Sequence, residues 1–470
     1  MTALLLAAGV VLRLAGLRTR SLWFDEAATL VVARVPVGQV PGLAAREQVG
    51  SPLYYLLMHG WLRLFADPLL ALRLFSALCA IAALFVFRDL CGRLLPARAR
   101  TFALFLAAFS SYWIHAAQDG RVYAMLLLVC LASTRAAWEL SERPSARRWA
   151  AYAGLAALGL YVHYYYAVLL AAHAAWLFPR RGGGRERLAW AAAHAAVAVA
   201  FAPCLGIFMI QLHRGGAQMF GESLSARRVC DLLGTQLFDV TYLGLLLPWW
   251  LTVAVGAGVV AAAAAAAARL RSEACEPVER RAILFALVHL ALPLLAIAAV
   301  ELALGRPVTQ ARYLTPLAVF PLLLSARAVC RDGLAARAGR LALALTVVAG
   351  TAGYFASGAL IDPHFDRLAA VLRGTDRRLP VVYLETYYYL PLRAYYLPER
   401  PHFLVARAAE GMDYAALPPY DGVMDDAGLR SLGPCVVMDE KGLLGGPKVS
   451  LGSGAEVARL LAGAPTEKRR

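Results

Sequence analysis

Lysine is nearly missing from this 470-residue chain: only Lys441, Lys448 and Lys468 occur, all near the C-terminus. The formal charge of +16 therefore rests on arginine, and the arginines stand in short clusters between apolar runs. They form no continuous basic face or tail, which argues against nucleic acid as a partner. Charge as a whole is scarce, at 17% of residues against 60% hydrophobic. That is more apolar surface than one soluble core uses, and it makes the chain a polytopic membrane protein.

Other absences narrow the reading further. Eight cysteines are scattered without a CxxC or a Cys/His metal spacing, so no disulfide framework or zinc module follows. Cys79, Cys130, Cys204 and Cys330 lie in or beside apolar runs, where a thiol behaves as a small hydrophobe. No basic residue precedes the first apolar run, Ala3 to Leu17, which therefore reads as a first membrane helix and not as a cleaved signal peptide.

Apolar runs follow at about 69–87, 101–117, 122–140, 149–178, 188–210, 243–268, 282–303, 310–326 and 341–359. The run 149–178 would be about 45 Å long as one helix, against a hydrocarbon core of about 30 Å. Two short or tilted helices turning near His163 make every second loop basic. Those loops hold Arg88 to Arg100, Arg143 to Arg148, Arg180 to Arg187, Arg269 to Arg281 and Arg327 to Arg340. By the positive-inside rule they are cytoplasmic, giving about 11 transmembrane helices with the N-terminus inside. The loop 18–68 and the tail from about 360 then face outward.

Two domains are expected: 1–359 in the membrane and 360–470 as a soluble extracytoplasmic α/β domain. Within the first outer loop, Ser51 to Phe65 has proline at its second position and mixes apolar residues with His59 and Arg63, as an interfacial helix does. In the tail, Pro380 to Glu385 and Cys435 to Glu440 read as short buried strands, flanked by amphipathic helices in FDRLAAVLRG and AEVARLLAG. The tail has no GxGxxG or phosphate-loop pattern, so no nucleotide cofactor is assigned to it.

The polar residues hardest to explain by packing fall at the outer helix ends. Asp25 and Glu26 follow the first helix; Gln118, Asp119, Arg121 and Tyr123 join two others; His163 and Tyr164 sit at the turn in 149–178; Arg312 and Tyr313 open a late helix. Together they would line one outward-facing cavity. A carboxylate can take a proton from an acceptor hydroxyl, and fixed cations can neutralise a departing phosphate. Arginine suits phosphate because its planar fork binds two oxygens at once. Blander roles stand beside these: a solvated border for the acids and for Glu301, a polar hairpin at Asp119-Gly120, an aromatic belt around His163, a cap or lipid contact for Arg312.

Five segments in order, SLWFDEAATL, SPLYYLLMHGWLRLFADPLLALRLFSAL, AAQDGRVYAMLLL, LYVHYYYAVLL and ARYLTPLAVFPLLL, resemble those of GT-C glycosyltransferases of the family 39 and ArnT-like (dolichyl-phosphate-mannose-protein mannosyltransferase-like) group, over about residues 10–330. The resemblance implies a GT-C helical membrane bundle with interfacial helices in its first outer loop. It implies an inverting hexosyl or pentosyl transferase in the cytoplasmic (inner) membrane. The sugar would come from a polyprenyl-phosphate donor on the outer face and go to a glycan, lipid or protein acceptor. Asp25 would act as base or orient the acceptor, with Glu26 beside it. Arg121, His163, Tyr164, Arg312 and Tyr313 would meet the donor phosphate, and Asp119 would match an acid that helps hold a divalent metal ion in some relatives. The chain has Gly50-Ser51-Pro52 where His-Pro-Pro is common and Gln-Asp-Gly-Arg where Gln-Glu-Ala-Arg is common, which leaves the metal open. A transporter or flippase of lipid-linked saccharide is the alternative, although no internal repeat of the transporter kind is evident.

Overall fold

The computed structural model describes residues 1–46, 51–178, 183–214, 223–238, 249–305, 307–356, 365–384, 386–406, 423–439, 448–453 and 455–457. Contacts divide the chain into two compact units: Met1–Leu17 with Val40–Ile361, and Arg18–Gln39 with Asp362–Arg470. Residues 18–39, grouped by sequence with the membrane portion, thus fold with the tail.

In chain order the helices are α1 (Thr2–Leu14), α2 (Phe24–Arg34), α3 (Val40–Ala44), α4 (Pro52–Trp61), α5 (Pro68–Leu94), α6 (Ala97–Phe109), α7 (Ser111–Gln118), α8 (Tyr123–Glu142), α9 (Ala146–Val162), α10 (Tyr166–Leu177), α11 (Gly184–Arg214), α12 (Ala226–Phe238), α13 (Trp249–Arg269), α14 (Pro277–Leu304), α15 (Val319–Val329) and α16 (Leu334–Ala356). All but α2 belong to the first unit.

Six described helices, α5, α8, α11, α13, α14 and α16, are long and apolar enough to cross a membrane, and α1, α10 and α15 are shorter apolar helices. The chain is a multi-pass membrane protein.

Several apolar runs that look continuous in sequence are broken. The run 149–178 is two helices, α9 and α10, parted at His163. The run 101–117 breaks at Ser110, whose hydroxyl accepts from the amide of Trp113 at 3.2 Å and so caps α7. A break inside lipid strands carbonyls, and each needs a donor. Here the wholly buried Arg13 of α1 donates to Ala107 O (2.9 Å) and Ala108 O (3.3 Å), while the Thr351 hydroxyl reaches Phe109 O. Arg13, the one charge in the first apolar run, is therefore a cap for its neighbour.

The helix α12 lies in a stretch with no decodable sequence signature, yet its second half is buried. It packs on α13 through glycine: a Cβ at Gly256 would stand 1.7 Å from Cys230 O, and one at Gly234 would stand 1.9 Å from Thr252 O. Small residues let the two backbones touch, the usual device of membrane helix pairs.

In the second unit, Asp362 onward, α17 (Phe365–Arg373) precedes a five-stranded sheet ordered β3-β2-β1-β4-β5. Its strands are β1 (Val381–Tyr383), β2 (His402–Val405), β3 (Val423–Met424), β4 (Pro434–Asp439) and β5 (Lys448–Ser453), with α18 (Thr386–Pro391) after β1 and α19 (Asp426–Ser431) after β3. Strand β1 runs parallel to β2 and β4, β2 parallel to β3, and β5 antiparallel to β4. Phe365, Leu368, Ala369 and Leu372 make one buried stripe on α17, the i, i+3, i+4, i+7 pattern of an amphipathic helix. Both strands expected from sequence are present, as β1 and β4. The expected C-terminal helix is described only over 455–457; the rest lies outside the described residues.

Candidate functional site

The candidate residues fall into two groups, one in each unit. In the membrane unit the segment 119–122 links α7 to α8, and Asp119 and Arg121 are 4% and 8% exposed. Two neighbours pin its backbone: the Tyr54 hydroxyl of α4 donates to Gly120 O at 2.9 Å, and the Ser76 hydroxyl of α5 donates to Arg121 O at 3.3 Å. Gln118 does structural work. Its amide nitrogen donates to Leu12 O and Ala15 O at the end of α1, and its oxygen accepts from the Tyr354 hydroxyl.

His163 caps α9 and is wholly buried. Its Nδ1 accepts from the amide of Tyr165 at 3.2 Å, so the ring proton sits on Nε2. That Nε2–H has no acceptor among the described residues. A buried donor left unmatched costs about 1–3 kcal/mol, and such an atom marks a place where a ligand oxygen fits.

The surroundings of His163 are aromatic and cationic. Its ring centre lies 6.1 Å from Tyr123, 5.6 Å from Tyr165 and 5.5 Å from Tyr313. The Arg312 guanidinium stands over two of the same rings, 5.9 Å from Tyr123 and 5.5 Å from Tyr313, and its Nε donates to the side-chain oxygen of Gln310 at 3.0 Å. Arg121 and Arg312 are both near enough to act on His163 electrostatically. Arg121, Tyr123, His163, Arg312 and Tyr313, scattered over some 190 residues, are thus gathered into one buried neighbourhood.

Tyr164 faces elsewhere, packing on Phe201 (5.9 Å) and Phe208 (4.9 Å) of α11. The cluster's tyrosine is Tyr165, whose hydroxyl donates to Val308 O. Three adjacent tyrosines gave no sequence signal to choose among them, because only the turn after α9 decides which ring points inward.

The backbone before Arg312 is held by Glu301. One carboxylate oxygen accepts from the amide of Val308 (3.0 Å) and the Thr309 hydroxyl, and the other accepts from the amide of Leu224 (3.0 Å). Beyond it, the Tyr112 hydroxyl and the Gln236 side-chain amide both donate to Ala311 O, at 3.2 and 3.0 Å. Glu301, a border charge by sequence, is a clamp on the segment that presents Arg312.

Asp25 and Glu26 belong to the second unit. They occupy the first turn of α2, where carboxylates complement unsatisfied N–H groups. Glu26 is fully buried, and its Oε2 accepts from the amide of Trp23 at 3.3 Å, half of a capping box. Asp25 is only half-buried. The structure therefore separates the pair: Glu26 shapes the helix start, and Asp25 keeps access to solvent. The segment is tied down within its own unit, since the Leu22 amide donates to the Tyr396 hydroxyl at 2.7 Å and Arg34 Nη1 to Ala394 O at 3.1 Å, while Phe24 stacks on Tyr387 at 6.1 Å.

Among the described residues no three His, Cys, Asp or Glu side chains gather into a group that could hold a metal ion. Asp119 is the one residue on which the metal expectation rests, and no step below runs through a metal ion.

Residues 49–208 match the sequence model of the dolichyl-phosphate-mannose-protein mannosyltransferase family. No curated protein matches the sequence. Among solved structures, ArnT from Cupriavidus metallidurans bound to undecaprenyl phosphate superposes with a TM-score of 0.62 at 14% identity, over 93% of this chain and 92% of that one. Its apo state gives 0.58 at 15% identity over the same shares. The oligosaccharyltransferase AglB from Archaeoglobus fulgidus, in complex with an inhibitory peptide and a dolichol-phosphate, gives 0.50 at 13% identity, over 93% of this chain and 69% of that one. The resemblance drawn from five ordered motifs is borne out: this is a multi-pass membrane protein with the GT-C glycosyltransferase fold, and its residues 49–208 match the dolichyl-phosphate-mannose-protein mannosyltransferase model.

Proposed function

We propose that the protein transfers a sugar from a polyprenyl-phosphate-linked donor to an acceptor on the outer face of the cytoplasmic membrane. The observation that carries this is the buried His163 Nε2–H, a donor without an acceptor among the described residues, near enough to Arg121 and Arg312 to feel both charges. A phosphate oxygen satisfies that proton, and two guanidinium forks neutralise the charge that grows on phosphate as the glycosidic bond breaks. Tyr123 and Tyr313 supply ring faces beside Arg312, and Tyr165 packs against Tyr313. The lipid phosphate bound by ArnT supports the same ligand here.

Asp25 takes the proton from the acceptor as it attacks the anomeric carbon in line with the departing phosphate, which inverts that centre. Glu26 keeps the helix start in place and moves no proton. Purified protein in detergent, given polyprenyl-phosphate sugar and acceptor, tests the reading, since no sides remain to transport between. Release of polyprenyl phosphate with equal gain of glycosylated acceptor is expected; binding of donor without release would favour a lipid-linked saccharide carrier instead.

A further inference from the structure

The second unit contains a cavity of about 210 Å³ that none of the roles above explains. Its wall brings together Arg373, Arg377 and Arg400 against a single carboxylate, Glu399, with Tyr396 and the adjoining turn completing it. Arg400 is 8% exposed and committed to structure: its three nitrogens donate to Leu379 O, Leu372 O and Asp376 O, stitching the end of α17 to the strand that follows. Carbonyl dipoles do not cancel its charge, although the Asp376 carboxylate is near enough to act on it. Arg373 spends one nitrogen on Tyr396 O at 3.0 Å and is otherwise exposed. Arg377 makes no hydrogen bond or ion pair with another described residue.

Two exposed arginines with N–H groups to spare thus line a cavity that also has the buried Arg400 in its wall. That arrangement repels cations and offers an oxyanion several N–H groups. The wall is also mechanically placed, since Tyr396 receives Arg373 on its carbonyl and the Leu22 amide on its hydroxyl, three residues before Asp25.

We infer that this cavity is an oxyanion-binding subsite for a phosphate or carboxylate group. On the reading proposed above, that group belongs to the acceptor, and the Arg373-Tyr396-Leu22 chain of contacts links its arrival to the segment bearing Asp25.

The test uses the full-length protein in detergent, with inorganic phosphate and glycerol phosphate as probes and no donor lipid, so that its result does not depend on transfer. An Arg312→Gln background removes phosphate binding at the membrane cluster. Saturable binding is expected there, with a rise in thermal midpoint that chloride at equal ionic strength does not reproduce. Binding should weaken at least tenfold in Arg373→Gln/Arg377→Gln and recover in part in the double lysine variant. Absent binding, a chloride effect of the same size, or equal affinity in the double glutamine variant would overturn the subsite. In nanodiscs, competition by anionic but not zwitterionic lipid would reassign the anion to a bilayer headgroup and overturn the acceptor role; its absence supports that role.

Discussion

His163 shows how one side chain carries information that sequence could only frame. A histidine among tyrosines at a helix turn suits an interfacial belt as well as a ligand site. What separates the two is the proton on Nε2, fixed by the Tyr165 amide at Nδ1 and left without an acceptor among the described residues. His163→Phe should keep the aromatic packing and lose the hydrogen bond. Affinity for polyprenyl phosphate should fall about tenfold, the worth of one charge-assisted hydrogen bond, measured by binding to labelled lipid in detergent; unchanged affinity would return His163 to the belt. Glu26 makes the opposite case, because its capping bond to Trp23 gives it a structural reason to exist. Glu26→Gln should retain most of the transfer rate, since an amide oxygen accepts the same bond.

His402 gives the second unit a pH dependence that can be worked out. It is 3% exposed, with Nδ1 accepting from the Tyr383 hydroxyl (2.7 Å) and Nε2–H donating to Leu397 O (2.8 Å), and burial together with Arg393 and Arg400 pushes its pKa down to about 4. The folded state therefore holds the neutral ring. Above about pH 6.5, the usual histidine value, neither state binds the proton and nothing is lost. As pH falls from there to about 4, the unfolded chain takes up the proton first and stability declines, by about 3 kcal/mol in all. Hydrogen exchange at the β2 amides of the intact protein should speed up over that window, and His402→Gln should flatten the response.

At the scale of elements, local patterns were readable and interruptions were not. The amphipathic stripe of α17, the apolar strands β1 and β4 and the proline-started helix α4 follow from periodicity and composition. The break at Ser110, the 3-10 turn Ala311–Leu317 and α12 do not, because each depends on a partner far away in sequence: Arg13, Gln236 and Gly256 respectively. The glycine contact is open to test. Gly256→Ala places a methyl against the Cys230 carbonyl and should lower the thermal midpoint in detergent, at a cost of about 1–3 kcal/mol. Gly258→Ala, on the same helix with nothing within 4 Å of its Cβ, should leave the midpoint unchanged.

Across the whole molecule, loop charge and motif order together led to the fold. Among the arginines of the loops assigned to the cytoplasm, Arg93, Arg98, Arg269 and Arg327 are engaged in ion pairs. Arg93 and Arg135 alternate with Asp89 and Glu139 between α5 and α8, and Glu279 joins Arg269 and Arg327. Orientation is a prediction of that charge pattern. In a background free of native cysteines, Pro144→Cys should react with an impermeant thiol reagent only after the cells are opened, and Ser431→Cys should react in intact cells. The division of labour within the site was less legible, because five ordered motifs gather residues without saying which acid moves a proton and which caps a helix.

Asp25 is proposed as the base, with a separate cation cluster holding the donor. Single-turnover transfer from polyprenyl-phosphate sugar, with wild type and Asp25→Asn compared alongside donor binding, tests it most directly. The rate should fall by about 10²–10⁴-fold with donor affinity unchanged. An undiminished rate in Asp25→Asn would contradict it.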